Sequence, residues 1–319
     1  MTQEHVARQG TLEAPISLVL VGTNSSLNLG DFLMQLCFAR GICSRATVPV
    51  RIVLSSPNRS LDAERYPQDY LVVQSARKSA GRLVQACFGI LLNRITGSRS
   101  FAFGEEAREI RDAHAVIDLS GDMLTEDYGL ALALSHLFPI WLAVHYHKPL
   151  YIVGQSIGPF KRLRKLYASV LTRASAITCR DDLSFTYVGA LGLAENASLT
   201  ADLAFAYHAS ARSVATDYVG LERQLTLGIS LSTLVIKRAK KHGVDLVGIL
   251  AATLDRLALK EDLRLVLVPH VLGPKPEHDD RHALKRLRNR LSVAACHIAE
   301  PSTPASAFST IRECDLFIG

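Results

Sequence analysis

Residues 16–31 read Ile16-Ser-Leu-Val-Leu-Val21-Gly22-Thr-Asn-Ser-Ser-Leu-Asn28-Leu-Gly30-Asp31, and the fold is decided there. The apolar run stops at Gly22, as a strand buried on both faces does, and a polar loop leads into a helix from about Asp31. Strand, loop and helix make one βα unit, and the pattern recurs downstream. Residues 51–54, 71–73, 115–119, 150–153 and 176–179 read as strands; 80–95, 130–147 and about 161–174 read as helices. That alternation predicts an α/β fold built on a parallel, doubly wound sheet.

The alternation breaks over 207–224, which is rich in Ala, Ser and charge, and then resumes. Strands are expected at 225–231, 264–268, near His297 and at 315–318, with helices at about 244–259, 279–291 and 304–314. A chain of 319 residues has room for two domains, each with its own core. The expected organisation is a polar tail over 1–15, a Rossmann-like domain over 16–206, a connection over 207–224 and a second Rossmann-like domain over 225–319. Ligands of open α/β sheets bind beyond the carboxyl ends of the strands. The sequence stops at Gly319, directly after its last strand, so the second domain is expected to be truncated at its C-terminus.

Composition excludes several classes. Lys and Arg number 36 against 30 Asp and Glu, a net charge of +6, and 48% hydrophobic with 21% charged residues is a globular balance, not a disordered one. The densest basic run, Lys161-Arg-Leu-Arg-Lys165, lies on an expected helix with no nucleic-acid motif beside it, so no nucleic acid is expected as partner. Six cysteines form no Cys-x-x-Cys pair, and most sit among apolar residues as small buried hydrophobes would, which reads as a reducing compartment. The first fifteen residues are too polar for a secretory signal, and 129–144 is too short to span a bilayer, so a cytoplasmic location without a transmembrane segment is expected.

Several loops that follow strands carry candidate chemistry. In 22–31, unpaired backbone N–H groups and the helix dipole favour an anion, with Asn28, Gly30 and Asp31 as candidates. The plainer alternative is that Asp31 caps the helix and Gly30 turns the chain. Neither Gly-x-Gly-x-x-Gly nor a Walker loop is present, so NAD and ATP lose support. Asp118-Leu-Ser-Gly121-Asp122-Met-Leu-Thr-Glu126-Asp127 carries four carboxylates, suited to sugar hydroxyls, a metal or proton transfer, or else to an exposed loop with a helix cap. Gly154-Gln155-Ser156-Ile-Gly158-Pro-Phe160 and Arg180-Asp181-Asp182-Leu-Ser184 follow neighbouring strands, where Asp182 or Ser184 could equally be a cap. His278 and His282 flank Asp279-Asp280 at i, i+4, but neighbouring Lys and Arg disfavour a cation, and no metal is expected.

In this order and spacing, Asn28-x-Gly30-Asp31, Ser120-Gly121-Asp122, Gly154-Gln-Ser-Ile-Gly158-Pro-Phe, Arg180-Asp181-x-x-Ser184 with Gly189-x-x-Gly192, and Ala201-Asp202-x-Ala204-Phe205 resemble the polysaccharide pyruvyl transferase family. The similarity continues through Gly228-Ile-Ser230-Leu, Val268-Pro269-His270-Val271 and Asp279-Asp280. The Gly-Gln-Ser-Ile-Gly-Pro and Arg-Asp-x-x-Ser pieces are its most specific parts. Two departures stand out: Ser120 occupies a position where many members have glycine, and members continue from the last strand into an Arg-x-His segment.

The resemblance implies a GT-B-like fold, two Rossmann-like domains facing across a cleft. It implies transfer of the enolpyruvyl unit of phosphoenolpyruvate onto two hydroxyls of a sugar in a cell-surface polysaccharide or its precursor. The products are a cyclic pyruvate ketal and inorganic phosphate, and no dissociable organic cofactor takes part. His270 and Asp122 are then the expected catalytic residues. Asn28, Gly30, Asp31, Gly121, Gln155, Ser156, Gly158, Arg180, Asp181, Ser184 and Ser230 are the expected substrate-binding ones. The implied partners are phosphoenolpyruvate and a glycan or lipid-linked glycan acceptor, with peripheral association at a membrane that holds the acceptor. The competing readings are a GT-B-type nucleotide-sugar glycosyltransferase and a catalytically inactive truncated paralogue acting as a binding subunit.

Overall fold

Ile16–Val21 forms strand β1, buried from Ser17 onward, in a computed structural model that describes residues 14–76, 80–207, 224–273, 275–293 and 295–319. Contacts divide the chain into two compact units, whose described residues fall within 14–23 and 38–201 in the first and within 24–37 and 202–319 in the second. The expected tail, up to residue 13, and all of the expected connection except Tyr207 and Gln224 lie outside the described residues.

The first unit follows β1 with α1 (Leu29–Cys43), β2 (Val50–Ser56), α2 (Arg59–Arg65), β3 (Tyr70–Gln74), α3 (Ala80–Thr96), α4 (Glu105–Asp112) and β4 (Ala115–Asp118). It continues through α5 (Leu130–His145), β5 (Leu150–Gln155), α6 (Arg164–Leu171), β6 (Ala176–Cys179), α7 (Asp182–Ala190) and β7 (Ala197–Leu199). All seven strands are parallel, in the order β3-β2-β1-β4-β5-β6-β7. Its first six places have the doubly wound dinucleotide-fold order, so the chain reverses direction between β1 and β4 and opens a crevice at their carboxyl ends. Val19, Val21, Val116, Ile152 and Ile177 hold the core with Leu137, Ile140 and Leu171 from the covering helices.

The second unit contains β8 (Leu225–Ile229), α8 (Thr233–Lys241), α9 (Leu246–Ala258), β9 (Leu263–Leu267), α10 (Asp280–Arg288), β10 (Cys296–Ile298), α11 (Pro304–Arg312) and β11 (Leu316–Ile318). Its four parallel strands run β10-β9-β8-β11, with the reversal between β8 and β11. Leu227, Ile229, Leu265 and Leu267 pack there against Leu254, Leu284 and Leu287.

The doubly wound α/β class is as expected, with three differences. The short elements α2, α4, α8 and β7 were not legible: with nine residues or fewer, each is shorter than the window over which a period can be read. The helix expected from about 161 begins at Arg164, because the amides of Lys161 and Leu163 each donate at 2.7 Å, and that of Arg162 at 3.1 Å, to the Glu126 carboxylate. Finally, Asn24–Cys37, assigned by sequence order to the first domain, has its contacts in the second unit. Leu272 N donates to Leu27 O at 2.7 Å, Leu29 N donates to His270 O at 3.1 Å, and Asn28 bridges Val271. Among the described residues, no helix is long and apolar enough to cross a membrane.

Candidate functional site

The residues singled out by sequence fall into two groups, one in each unit. In the first unit, the loops after β4, β5 and β6 leave the same carboxyl edge. Ser156 N donates to Gly121 O and Gly158 N to Leu124 O, both at 2.8 Å, which joins the first two loops along their backbones. Gln155 is fully buried at their base: its Oε1 accepts from Ser120 Oγ at 3.0 Å, and its Nε2 donates to Asp118 O at 3.1 Å. Gln155 therefore braces these loops through its side chain instead of presenting it at the surface.

The third loop closes onto the second through side chains. Arg180 Nε donates to Ser156 Oγ at 2.9 Å, and that hydroxyl donates to Asp181 Oδ2 at 2.7 Å. Asp181 is also the N-cap of α7, accepting from Ser184 N at 2.8 Å and from Ser184 Oγ at 3.0 Å, while Ser184 Oγ accepts from Ile157 N at 2.9 Å. The two most specific motifs are thus one hydrogen-bonded network. Burial works to raise the Asp181 carboxyl, but the hydrogen bonds from Ser156 and Ser184 and the charge of Arg180 outweigh it and hold it below its ordinary value. Burial first, and then the Asp181 charge, pushes the neighbouring Cys179 thiol up to about 11, which keeps it protonated and unreactive near neutral pH.

The four carboxylates after β4 do not act as a set. Asp118 is buried and accepts from Ser120 N at 2.8 Å. Glu126 receives the three amides ahead of α6, a structural use that its position in an acidic loop did not reveal. Burial works to raise its carboxyl, and those three amides with the Arg162 charge hold it below its ordinary value. Asp122 is exposed, with Tyr128 Oη donating to it at 2.6 Å. Asp127 is exposed as well, and of these two it is Asp122 that falls in the Ser120-Gly121-Asp122 motif and stands as the candidate for contact with a substrate.

In the second unit, the Asn28 loop lies against the residues that follow β9. Asn28 caps α1: its Oδ1 accepts from Gly30 N at 3.1 Å and Asp31 N at 3.3 Å, and its backbone carbonyl accepts from Phe32 N. Leu29 N goes to His270 O, so the opening amides of α1 all have protein partners and Asp31 is buried in the first turn. The expected anion seat is corrected on this ground: the donors that would make it are engaged, and the cap is Asn28, not Asp31. His270 is exposed, and its Nδ1 lies 2.7 Å from Ser230 Oγ, just beyond β8. Ser230 N donates to Ile318 O at 2.8 Å, which places that pair at the reversal point of the second sheet.

Sequence reasoning grouped Asp280 with the family pattern but assigned it no role. It is buried, and its two carboxylate oxygens accept from Val271 N at 2.9 Å and Thr233 N at 3.0 Å. It ties the residue after His270 to the first turn of α8, and so positions the His270–Ser230 pair. Asp279, beside it, caps α10 and pairs with Arg281 at 2.6 Å. Among the described residues, no group of three or more His, Cys, Asp or Glu is placed to hold a metal ion.

Two Rossmann-like units built on parallel sheets give the chain a GT-B-like fold. The fold is similar to that of the UDP-GlcNAc 2-epimerase of Neisseria meningitidis, solved with UDP-GlcNAc, at a TM-score of 0.52 and 10% identity over 94% of this chain and 76% of that one. Anabaena HepE, solved with UDP and glucose, is similar at a TM-score of 0.52 and 13% identity, over 95% of this chain and 73% of that one. The chain belongs to the polysaccharide pyruvyl transferase family, whose sequence profile matches residues 28–319. No curated protein matches it significantly.

Proposed function

We propose that this protein is a phosphoenolpyruvate-dependent pyruvyl transferase that builds a pyruvate ketal on a sugar of a polysaccharide or its precursor. The observation that carries this reading is the network Arg180–Ser156–Asp181–Ser184, in which both family-specific motifs join at one sheet edge. Transfer requires a proton on the methylene carbon of the donor, attack of one sugar hydroxyl at the carbon bearing the phosphate, loss of inorganic phosphate, and closure by the second hydroxyl. In this reading Arg180 binds an anionic group of the donor, oriented by its bond to Ser156. His270 moves a proton, its ring held by Ser230 on Nδ1 and its backbone by Asp280 through Val271. Asp122 accepts from a sugar hydroxyl. No cofactor is required. Six cysteines without a disulfide agree with work in a reducing compartment.

The test is release of inorganic phosphate from phosphoenolpyruvate in the presence of a glycan acceptor, with titration of phosphoenolpyruvate against wild type and Arg180→Ala. Loss of a charge-assisted hydrogen bond should weaken donor binding by about 1.5 to 3 kcal/mol, roughly ten- to hundredfold. Equal affinity in an equally folded variant rejects the role of Arg180. The second reading, a nucleotide-sugar enzyme, is favoured only by the fold likeness to proteins solved with UDP and UDP-sugars. Release of UDP from a UDP-sugar, with no phosphate from phosphoenolpyruvate, selects it.

A further inference from the structure

Helix α3 has its apolar residues on the wrong side for a helix that only covers a core. Ala86, Gly89, Ile90 and Asn93 form its buried face. Contact there is close: a Cβ at Gly89 would come within 3.1 Å of Phe101 O and of the Phe103 ring. At 100° per residue, Val84, Phe88, Leu91 and Ile95 fall within about a 60° arc on the opposite side. They are 67%, 52%, 51% and 71% exposed. Phe103, also exposed, extends the stripe, its ring 5.8 Å from that of Phe88. A water-facing helix would carry polar residues at these positions.

Within α3 and the turn that follows it the charge is of one sign. Residues 80–100 contain Arg82, Arg94 and Arg99 and not one Asp or Glu. Just past the end of α3, a cavity of about 360 Å³ is lined by Arg99, Ser100, Arg111, Tyr146 and Lys148. Arg111 is paired with Asp112 at 2.7 Å, which leaves Arg99 and Lys148 as the cavity's other cations. Asn93 Nδ2, at the end of the buried face, lies 3.2 Å from His145 Nε2. The ring of Trp141, the single tryptophan of the chain, is 6.2 Å from the His145 ring.

We propose that the outer face of α3, with the basic cavity beside it, docks on an anionic lipid bilayer. The apolar stripe enters the headgroup boundary and the cations meet lipid phosphates. At 17 residues the helix is too short to span a bilayer, so it lies in the plane of the interface. A second copy of this chain would cover the stripe equally well, but it would present the same cations to one another, whereas an anionic surface complements them. The inference rests on the first unit alone and holds whatever the donor proves to be.

The test is co-sedimentation of the full chain with vesicles of phosphatidylglycerol and phosphatidylcholine in equal parts, against pure phosphatidylcholine. Wild type should bind the anionic vesicles. The triple variant Val84→Gln, Phe88→Gln, Ile95→Gln should lose at least about tenfold in binding. Arg94→Gln with Arg99→Gln should abolish the preference for anionic lipid. Because all three stripe residues are exposed, the triple variant should melt like wild type and release phosphate equally with a soluble acceptor, which separates this result from failure of the proposed activity. No vesicle binding by wild type, or equal binding by wild type and the triple variant, overturns the proposal. So does a wild-type dimer that the triple substitution splits, since a second copy then covers the face.

Discussion

Arg180 and Asp181 are adjacent, yet the hydroxyl of Ser156 separates their roles: it accepts from Arg180 and donates to Asp181. Asp181 also caps α7, so Asp181→Ala should cost about 1 to 2 kcal/mol in denaturant unfolding. The folded carboxyl lies below its ordinary 3.8, so its stabilisation is complete above the unfolded value and disappears as pH falls through the folded one. Asp181→Ala should therefore flatten that part of the acid limb, which unfolding at neutral and acid pH will measure. Gly158 belongs to the family motif for a different reason. Its φ is +83°, and a Cβ there would collide with the Tyr187 ring, whose hydroxyl accepts from Phe160 N at 2.8 Å. Gly158→Ala should lower stability by on the order of 2 kcal/mol or more, visible as a fall in Tm. Both residues were legible as motif members, but the sequence could not tell a residue that touches ligand from one, like Gln155, that is buried beneath it.

At the scale of elements, loops joined by buried carboxylates hold each sheet edge in place. Asp280 connects the residue after His270 to α8, so Asp280→Ala should leave two backbone amides without their acceptor and cost about 2 to 3 kcal/mol. If it positions His270, a variant that still folds, such as Asp280→Asn, should lower kcat and shift its pH profile while changing the KM for phosphoenolpyruvate little. An unchanged profile would mark Asp280 as purely structural. Glu106 at the start of α4 does the same for the first sheet, accepting from Ser55 Oγ, from Ser75 Oγ at 3.1 Å and from Ala76 N at 2.7 Å. The strands were legible because buried runs of β-branched and aliphatic residues have few alternatives. The short polar helices were not, because α4, at eight residues, is shorter than the window over which a period can be read, and its Glu106 meets partners far away in the chain.

For the whole molecule, the shifted carboxyls and the shifted histidine among the described residues all move downward. Burial first, and then the charges of Arg94, Arg99 and His147, holds His145 below its ordinary 6.5. The carboxyls of Asp112, Asp181 and Asp279 are also held low. A depressed folded value means stability present above the unfolded value and lost as pH falls, for the histidine as for the carboxyls. Tm should therefore begin to fall just below pH 6.5 and fall further through the carboxylate range. His145→Gln should remove the first part of that decline in a calorimetric pH series.

Taken alone, the sequence determined the α/β class, the two alternating blocks and the motif loops at strand ends, since burial pattern and turn chemistry are local properties written within a few residues. Tertiary structure alone decided which loops meet. It joined Arg180 to Ser156, carried the Asn28 loop to His270, closed the amides of α1 to an anion and left the apolar side of α3 uncovered. Those outcomes depend on hydrogen-bond partners far apart in the chain, and packing selects them.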